Sequence, residues 1–377
     1  MQAEQHIKRL VRELVLPDQA DLVLQRRKYW TPRFATLYLE RCDELIFDDP
    51  HAGLNAAQVG PELVNLIRRL TRYEGVRIDR LQLRSLGILA SGYRASDCLQ
   101  RSESVYNEAF EWLSKRLIPQ EEAANLFFRV AVLRCFQNRM EQALDLARCA
   151  IKIYRETVSE AERAEHLGEA LTVRGFLYDM CRDSERAVAD WSEAIACTDP
   201  ARRSRIHFCA SHNLAGTLTR RAVRPATLAR VMTHIKEGRA FLAKRPRSRH
   251  KFRLLWLRGT VDCRFGCART GEHFLRKARR GFLDMRNAFD LALVSIDLGK
   301  FLFQWGDTNA LRELARETVE VFSHLCHEAE PNRALHLWKE HVISQTVTRD
   351  IFASTMHTLH QECYADFRRS RSQGRHR

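Results

Sequence analysis

The sequence predicts an all-α protein built as an α-solenoid of stacked antiparallel helix pairs, and three observations carry that reading. Residues 166 to 200, HLGEALTVRGFLYDMCRDSERAVADWSEAIACTDP, read as helix, turn, helix, with Leu171, Gly175 and Tyr178 in one stretch and Ala187, Trp191 and Ala194 in the next. A small residue recurs in the first helix of each such unit, at Ala90, Ala131, Gly175, Ala215, Gly259 and Gly299, at intervals of 40 to 44 residues. The period-two alternation of a half-buried strand is nearly absent.

Taken in order, residues 1 to 81 supply N-terminal helices and a degenerate first repeat or cap. Ile7, Leu10, Val11 and Leu14 mark one face of a leading amphipathic helix, with Lys8, Arg9, Arg12 and Glu13 among them. A helix pair follows between Pro32 and Leu70, broken at Asp48-Asp49-Pro50 and again at Gly60-Pro61. Six helix-pair repeats then occupy residues 82–322. In the central one, Arg182-Asp183-Ser184 makes the turn and supplies an N-cap for the second helix. The fourth repeat has a poor second helix, from Thr227 to Leu242, without the small residues found in the others. Residues 323–367 read as C-terminal capping helices and residues 368–377 as a basic, disordered tail. Gly or Ala at the recurring position lets the partner helix approach, while Tyr106, Tyr178 and Trp191 fill the space between successive pairs. No single pair can bury both of its apolar faces, so neighbours must stack.

Gly175 and Tyr178, then Ala187 and Trp191, stand at the Gly, Tyr, Ala and aromatic places of the tetratricopeptide repeat, which the stretch resembles. Leu171 stands where that family carries Trp, and Arg174 where it carries Leu. Units of the family are about 34 residues long. The extra residues here are enough to lengthen each helix by roughly a turn, and the HNLA and DLALVSIDL stretches look like a longer-repeat bacterial branch. The resemblance implies a right-handed superhelix with a concave face lined by first helices. In this register the groove positions fall at Asn125, Phe128, Glu169, Thr172, Phe176, Cys209, His212, Arg253, Trp256 and Thr260. The family's basic clamp for a C-terminal carboxylate is not matched by these residues.

Composition narrows the function. With 45% hydrophobic and 29% charged residues the chain is that of a folded protein; it has no apolar run long enough for a membrane span, and a secretory signal is not expected from its amphipathic first helix. Eleven scattered cysteines fit buried thiols in a reducing cytoplasm, which is the expected location. A net charge of +15, mostly from arginine, raises the question of an acidic partner. Lys244 to Arg253, KRPRSRHKFR, is the densest basic stretch, with Arg276, Lys277, Arg279 and Arg280 beyond it. Non-specific nucleic-acid contact is one reading of it and a solvated loop the plainer one.

Cys263, Cys267 and His273 have partial zinc spacing but lack a fourth ligand, and the denser cluster of His324, Cys326 and His327, with His336 and His341 beyond Pro331, reads as exposed histidines in a last-helix connection without four convergent ligands. No metal and no cofactor is expected, nor any membrane contact. Nothing places a nucleophile, a base and an orienting group at readable spacing, so the chain is not expected to be an enzyme. The expected function is a protein- or peptide-binding scaffold or adaptor, regulatory by association with its family. The alternative is a nucleic-acid-binding helical repeat protein with an arginine-rich surface.

Overall fold

A computed structural model describes residues 2–16, 19–70, 75–157, 160–198, 205–220 and 225–325. The expected tail, and nearly all of the expected C-terminal cap, lie outside the described residues. The chain packs as two compact units, residues 1–251 and 252–377. Their boundary falls in the first turn of a helix, His250–Phe265, and not in a linker.

In the first unit, α1 (Gln2–Leu14) and α2 (Leu22–Gln25) lead into α3 (Pro32–Asp48), α4 (Pro50–Ala57) and α5 (Gly60–Leu70). Thr31 accepts a bond from Phe34 N and Pro32 takes the first helical position, which starts α3. Asp49 ends α3 and caps α4 by accepting from Ala52 N. Val11 and Leu14 of α1 are buried with Phe34, Tyr38, Leu63 and Ile67, as the leading amphipathic pattern requires. The second half of this region is split into two helices at Gln58-Val59, with Gly60-Pro61 opening α5.

Four pairs follow in the first unit: α6 (Val76–Ala95) with α7 (Leu99–Ser114), α8 (Gln120–Phe136) with α9 (Met140–Thr157), α10 (Glu160–Met180) with α11 (Ser184–Cys197), and α12 (Arg205–Arg220) with α13 (Pro225–Leu242). The second unit holds α14 (His250–Phe265), whose first two residues belong to the first unit, α15 (Ala268–Asp284), α16 (Ala288–Gln304) and α17 (Thr308–Leu325). These paired helices run to 14–21 residues, which accounts for the long repeat. Among the described residues there is no strand.

The turn inside a pair is built by backbone geometry. Asp97, Asn138, Arg182 and Gly306 all take positive φ, from 60 to 74°. Each sits just past a helix end, and the amide one residue on reaches back to a carbonyl in the last turn, as in Asp183 N to Tyr178 O at 2.9 Å and Arg139 N to Arg134 O at 2.8 Å. Asp183 also caps α11 by accepting from Arg186 N, the role its position in the turn predicts.

The recurring small residue faces the partner helix. At Gly175 the indole of Trp191, 1% exposed, lies flat on α10 and donates to Thr172 O at 3.1 Å. A methyl group at Gly175 would sit 2.6 Å from Trp191 Nε1. Trp191 therefore closes its own pair as well as packing with neighbouring ones. Arg174, beside that glycine, forks onto Asp190 at 2.7 and 2.8 Å, so a salt bridge within the pair occupies the place where the related repeats carry leucine.

Gly175→Ala is expected to destabilise by about 1–3 kcal/mol through overpacking. At Gly299 of α16 the nearest atom to an added methyl is 3.5 Å away. Gly299→Ala is expected to be neutral, or to stabilise by up to about 1 kcal/mol through helix propensity. Denaturant midpoints separate the two, and equal effects would mean the pair register is wrong.

Candidate functional site: the free faces of the first helices

On α3 of the first unit, Asp43 and Phe47 lie one turn apart, and their partners come from far along the chain. Asp43 Oδ1 accepts from Arg129 Nη1 of α8 at 2.9 Å, and its Oδ2 accepts from Arg205 Nη1 of α12 at 3.0 Å. Arg205 Nη2 donates to Glu169 of α10 at 2.9 Å. Arg129 Nε donates to Asn125 at 2.8 Å and its Nη1 also reaches Ser91 Oγ of α6 at 3.1 Å. One carboxylate thus ties the first helices of two pairs, α8 and α12, directly to α3, and Arg205 and Arg129 extend the link to α10 and α6.

These side chains keep little water contact: 14% exposure for Arg129, 19% for Asp43 and 24% for Arg205. Burial opposes the Asp43 charge, but the guanidinia of Arg129 and Arg205, with their hydrogen bonds, outweigh it and hold the carboxyl well below the usual carboxylate range. Burial likewise opposes both guanidinium charges, and Asp43 and Glu169 more than restore them.

The same end of α3 also meets the basic stretch. Arg245 donates to Asp48 Oδ2 at 2.7 Å, Arg249 N to Asp48 O at 2.9 Å and Arg249 Nε to Phe47 O at 3.2 Å. Phe47 stacks on His250 with ring centres 3.8 Å apart, and Arg205 lies over its ring. Three of the arginines in the expected basic surface, Arg245, Arg249 and Arg253, are therefore held by internal partners, while Lys244 and Arg247 are exposed.

The residues expected to line a groove divide by unit and by burial. Asn125 and Glu169 are brought into one network around Asp43. Thr172 is half-buried, donating to Gly168 O at 2.7 Å. Phe176 is half-buried against the packing layers on either side of α10. Phe128 is a core residue, buried with Ala150, Tyr154 and Leu171, and has no open face. Cys209 is half-buried, and His212 stacks on Phe208 and meets His234 edge-on, with ring centres 5.9 Å away in both cases. In the second unit, Arg253 forks onto Asp290 at 2.9 Å on both arms, Trp256 Nε1 donates to Asp297 at 2.9 Å, and Thr260 is buried, donating to Trp256 O. Their α14 face is thus bonded to α16, one repeat on.

Arg129, Arg205 and Asp43 were not among the expected residues. Arg129 follows Asn125 by one turn and Arg205 precedes Cys209 by one turn, so groove periodicity contained both. Asp43 lies 86 and 162 residues from its partners and carries no local signal. No group of three or more His, Cys, Asp or Glu that could hold a metal occurs among the described residues. Of the later histidine cluster, Cys326, His327, His336 and His341 lie outside those residues. No helix among them is long and apolar enough to cross a membrane.

No family model matches the chain, and no curated protein matches it in sequence. Solved structures do match. A Rap protein complexed with competence and sporulation factor aligns over 89% of this chain and 88% of its own, with TM-score 0.60 and 12% identity. The Rap conjugation gene regulator of plasmid pLS20, complexed with the Phr* peptide, aligns over 89% and 96%, with TM-score 0.50 and 12% identity. This chain has a fold of the same kind, a TPR-like array of helix pairs.

Two outcomes test the site's energetics. Asp43→Ala leaves Arg129 and Arg205 without their shared carboxylate and is expected to cost about 2–4 kcal/mol, somewhat less than for a fully buried pair. Because the folded carboxyl titrates below its unfolded value, this contribution is present above about pH 4 and is lost only as the pH falls through the lowered range. Urea unfolding of both proteins at pH 7 checks it.

The second concerns His234, 8% exposed, which burial and then His207 push down to about 4. The unfolded chain takes up that proton near pH 6.5, so stability is full above that value and falls toward pH 4, by roughly 3 kcal/mol. His234→Phe is expected to flatten that part of the stability profile, read as denaturant midpoint against pH.

Proposed function

We propose that this chain is a non-enzymatic, peptide-binding regulator or adaptor, and that peptide is held on the free faces of the first helices of its first unit. The observation that carries the reading is the network of Asn125, Arg129, Glu169 and Arg205. These are polar side chains on three successive first helices, oriented by one another and by Asp43, with Thr172 and Cys209 beside them. Such an arrangement offers preorganised donors and acceptors to the backbone and side chains of an extended segment, at low ordering cost. Two solved structures of the same fold, each complexed with a factor or peptide, support the reading. The nucleic-acid alternative needs free arginines, and much of the basic stretch is held internally.

A library of synthetic peptides five to ten residues long, screened against the full chain by thermal shift, tests the proposal, since a ligand of the native state raises the midpoint by mass action. Glu169→Gln is expected to weaken the selected peptide about tenfold, the loss of roughly one charge-assisted hydrogen bond. Failure of every peptide to shift the midpoint, together with tight capture of single-stranded RNA or DNA that persists at high salt, would overturn it.

A further inference from the structure

At the other end of α6 from Ser91, a pocket of about 500 Å³ opens between α3 and the first two turns of α6. That volume lies within the range of small-ligand sites, ~300–1,000 Å³. Thr36, Val76, Arg77, Arg80, Leu81 and Arg84 line it. The walls are mainly apolar, yet three arginines stand around them.

How those arginines are held determines what they can still do. Glu122 of α8, 2% exposed, accepts from Nε and Nη2 of Arg80 at 3.0 and 2.9 Å. It also accepts from Nε of Arg84 at 3.0 Å and from its Nη2 at 2.6 Å. One buried carboxylate therefore grips the same edge of both guanidinia, with Glu121 adding a weaker contact to Arg80 at 3.6 Å. The Nη1 groups of Arg80 and Arg84 take no partner among the described residues, and both side chains remain about one third exposed. Arg77, one turn before Arg80 and exposed, pairs with no carboxylate among them. Val76 is 48% exposed at the rim and Leu81 is buried at the base. A guanidinium fixed on one edge presents its remaining donors at little entropic cost, and an apolar floor weakens the competition of water.

We propose that this pocket binds a carboxylate carried on an apolar group, and that in the peptide-binding reading above, on which this rests, it receives an acidic or C-terminal residue of the bound peptide. Arg77 supplies the free charge. Arg80 and Arg84 supply positioned donors, and Val76 and Leu81 take up the apolar portion.

Three probes test it on the full chain by isothermal calorimetry: N-acetyl-Leu-Leu with a free carboxylate, N-acetyl-Leu-Glu-amide, and the neutral N-acetyl-Leu-Leu-amide. At least one carboxylate probe is expected to bind about tenfold tighter than the neutral amide, and which of the two binds tighter identifies a chain end or a side chain as the source. Arg77→Gln is expected to remove that preference with the thermal midpoint unchanged, and Arg77→Lys to restore part of it. Equal binding of the neutral probe, no binding of any probe, or indifference to Arg77→Gln would overturn the pocket. A longer peptide that loses affinity with Glu169→Gln but not with Arg77→Gln would leave the proposed function standing and sink the pocket alone. Capture of the carboxylate dipeptides without any longer ligand would do the reverse.

Discussion

A pair of antiparallel helices cannot bury both of its apolar faces, and this deficit governs how the chain is built. Within a pair it is met by close approach at one small residue, where Trp191 lies on Gly175 and Ser102 donates to Ala90 O. Between pairs it is met by stacking, so that Tyr106, Tyr154 and Trp191 are buried among residues of more than one pair. Turns closed by backbone bonds keep each pair tight without demanding a particular side chain: Asp97, Asn138, Arg182 and Gly306 do the same work.

Polar groups follow the same period. Arg84–Glu122, Arg155–Glu193, Glu169–Arg205, Asp179–Arg220, Arg253–Asp290 and Arg279–Glu317 each join residues 36 to 41 positions apart, the distance from one helix to its counterpart in the next repeat. Arginine suits that task because its planar fork satisfies a carboxylate from one edge and can reach a second partner from another. This gives the excess of arginine over lysine a structural origin for these residues. At the start of α6 the same device leaves the Nη1 donors of Arg80 and Arg84 over.

The helix pairs were legible because their signal is local: a small residue every 40 to 44 positions, polar turns, and caps such as Asp183. The candidate site was legible only in part. In α8, Ala124, Leu126, Phe128, Val130 and Leu133 are all buried, so the helix is enclosed on most sides and apolar periodicity does not single out its free face. Phe128 was placed there on register alone and belongs to the core. The same register placed Asn125 and Glu169, which the structure brings into the Asp43 network, whereas Arg129 and Arg205, a turn away, were not among the expected residues. The part played by α3 depends on partners many repeats distant, which no local pattern encodes.

That distance bears on the order in which the molecule is made. The Asp43 clasp joins positions 86 and 162 residues apart, while each helix pair closes over a few dozen. Loop-closure entropy and vectorial synthesis both favour the pairs first. Asp43 emerges during translation well before Arg129 and longer still before Arg205, so the two halves of its clasp become available at different times. The end of α3 that carries Asp43, Phe47 and Asp48 thus completes its contacts only when α12 and the segment after α13 are present.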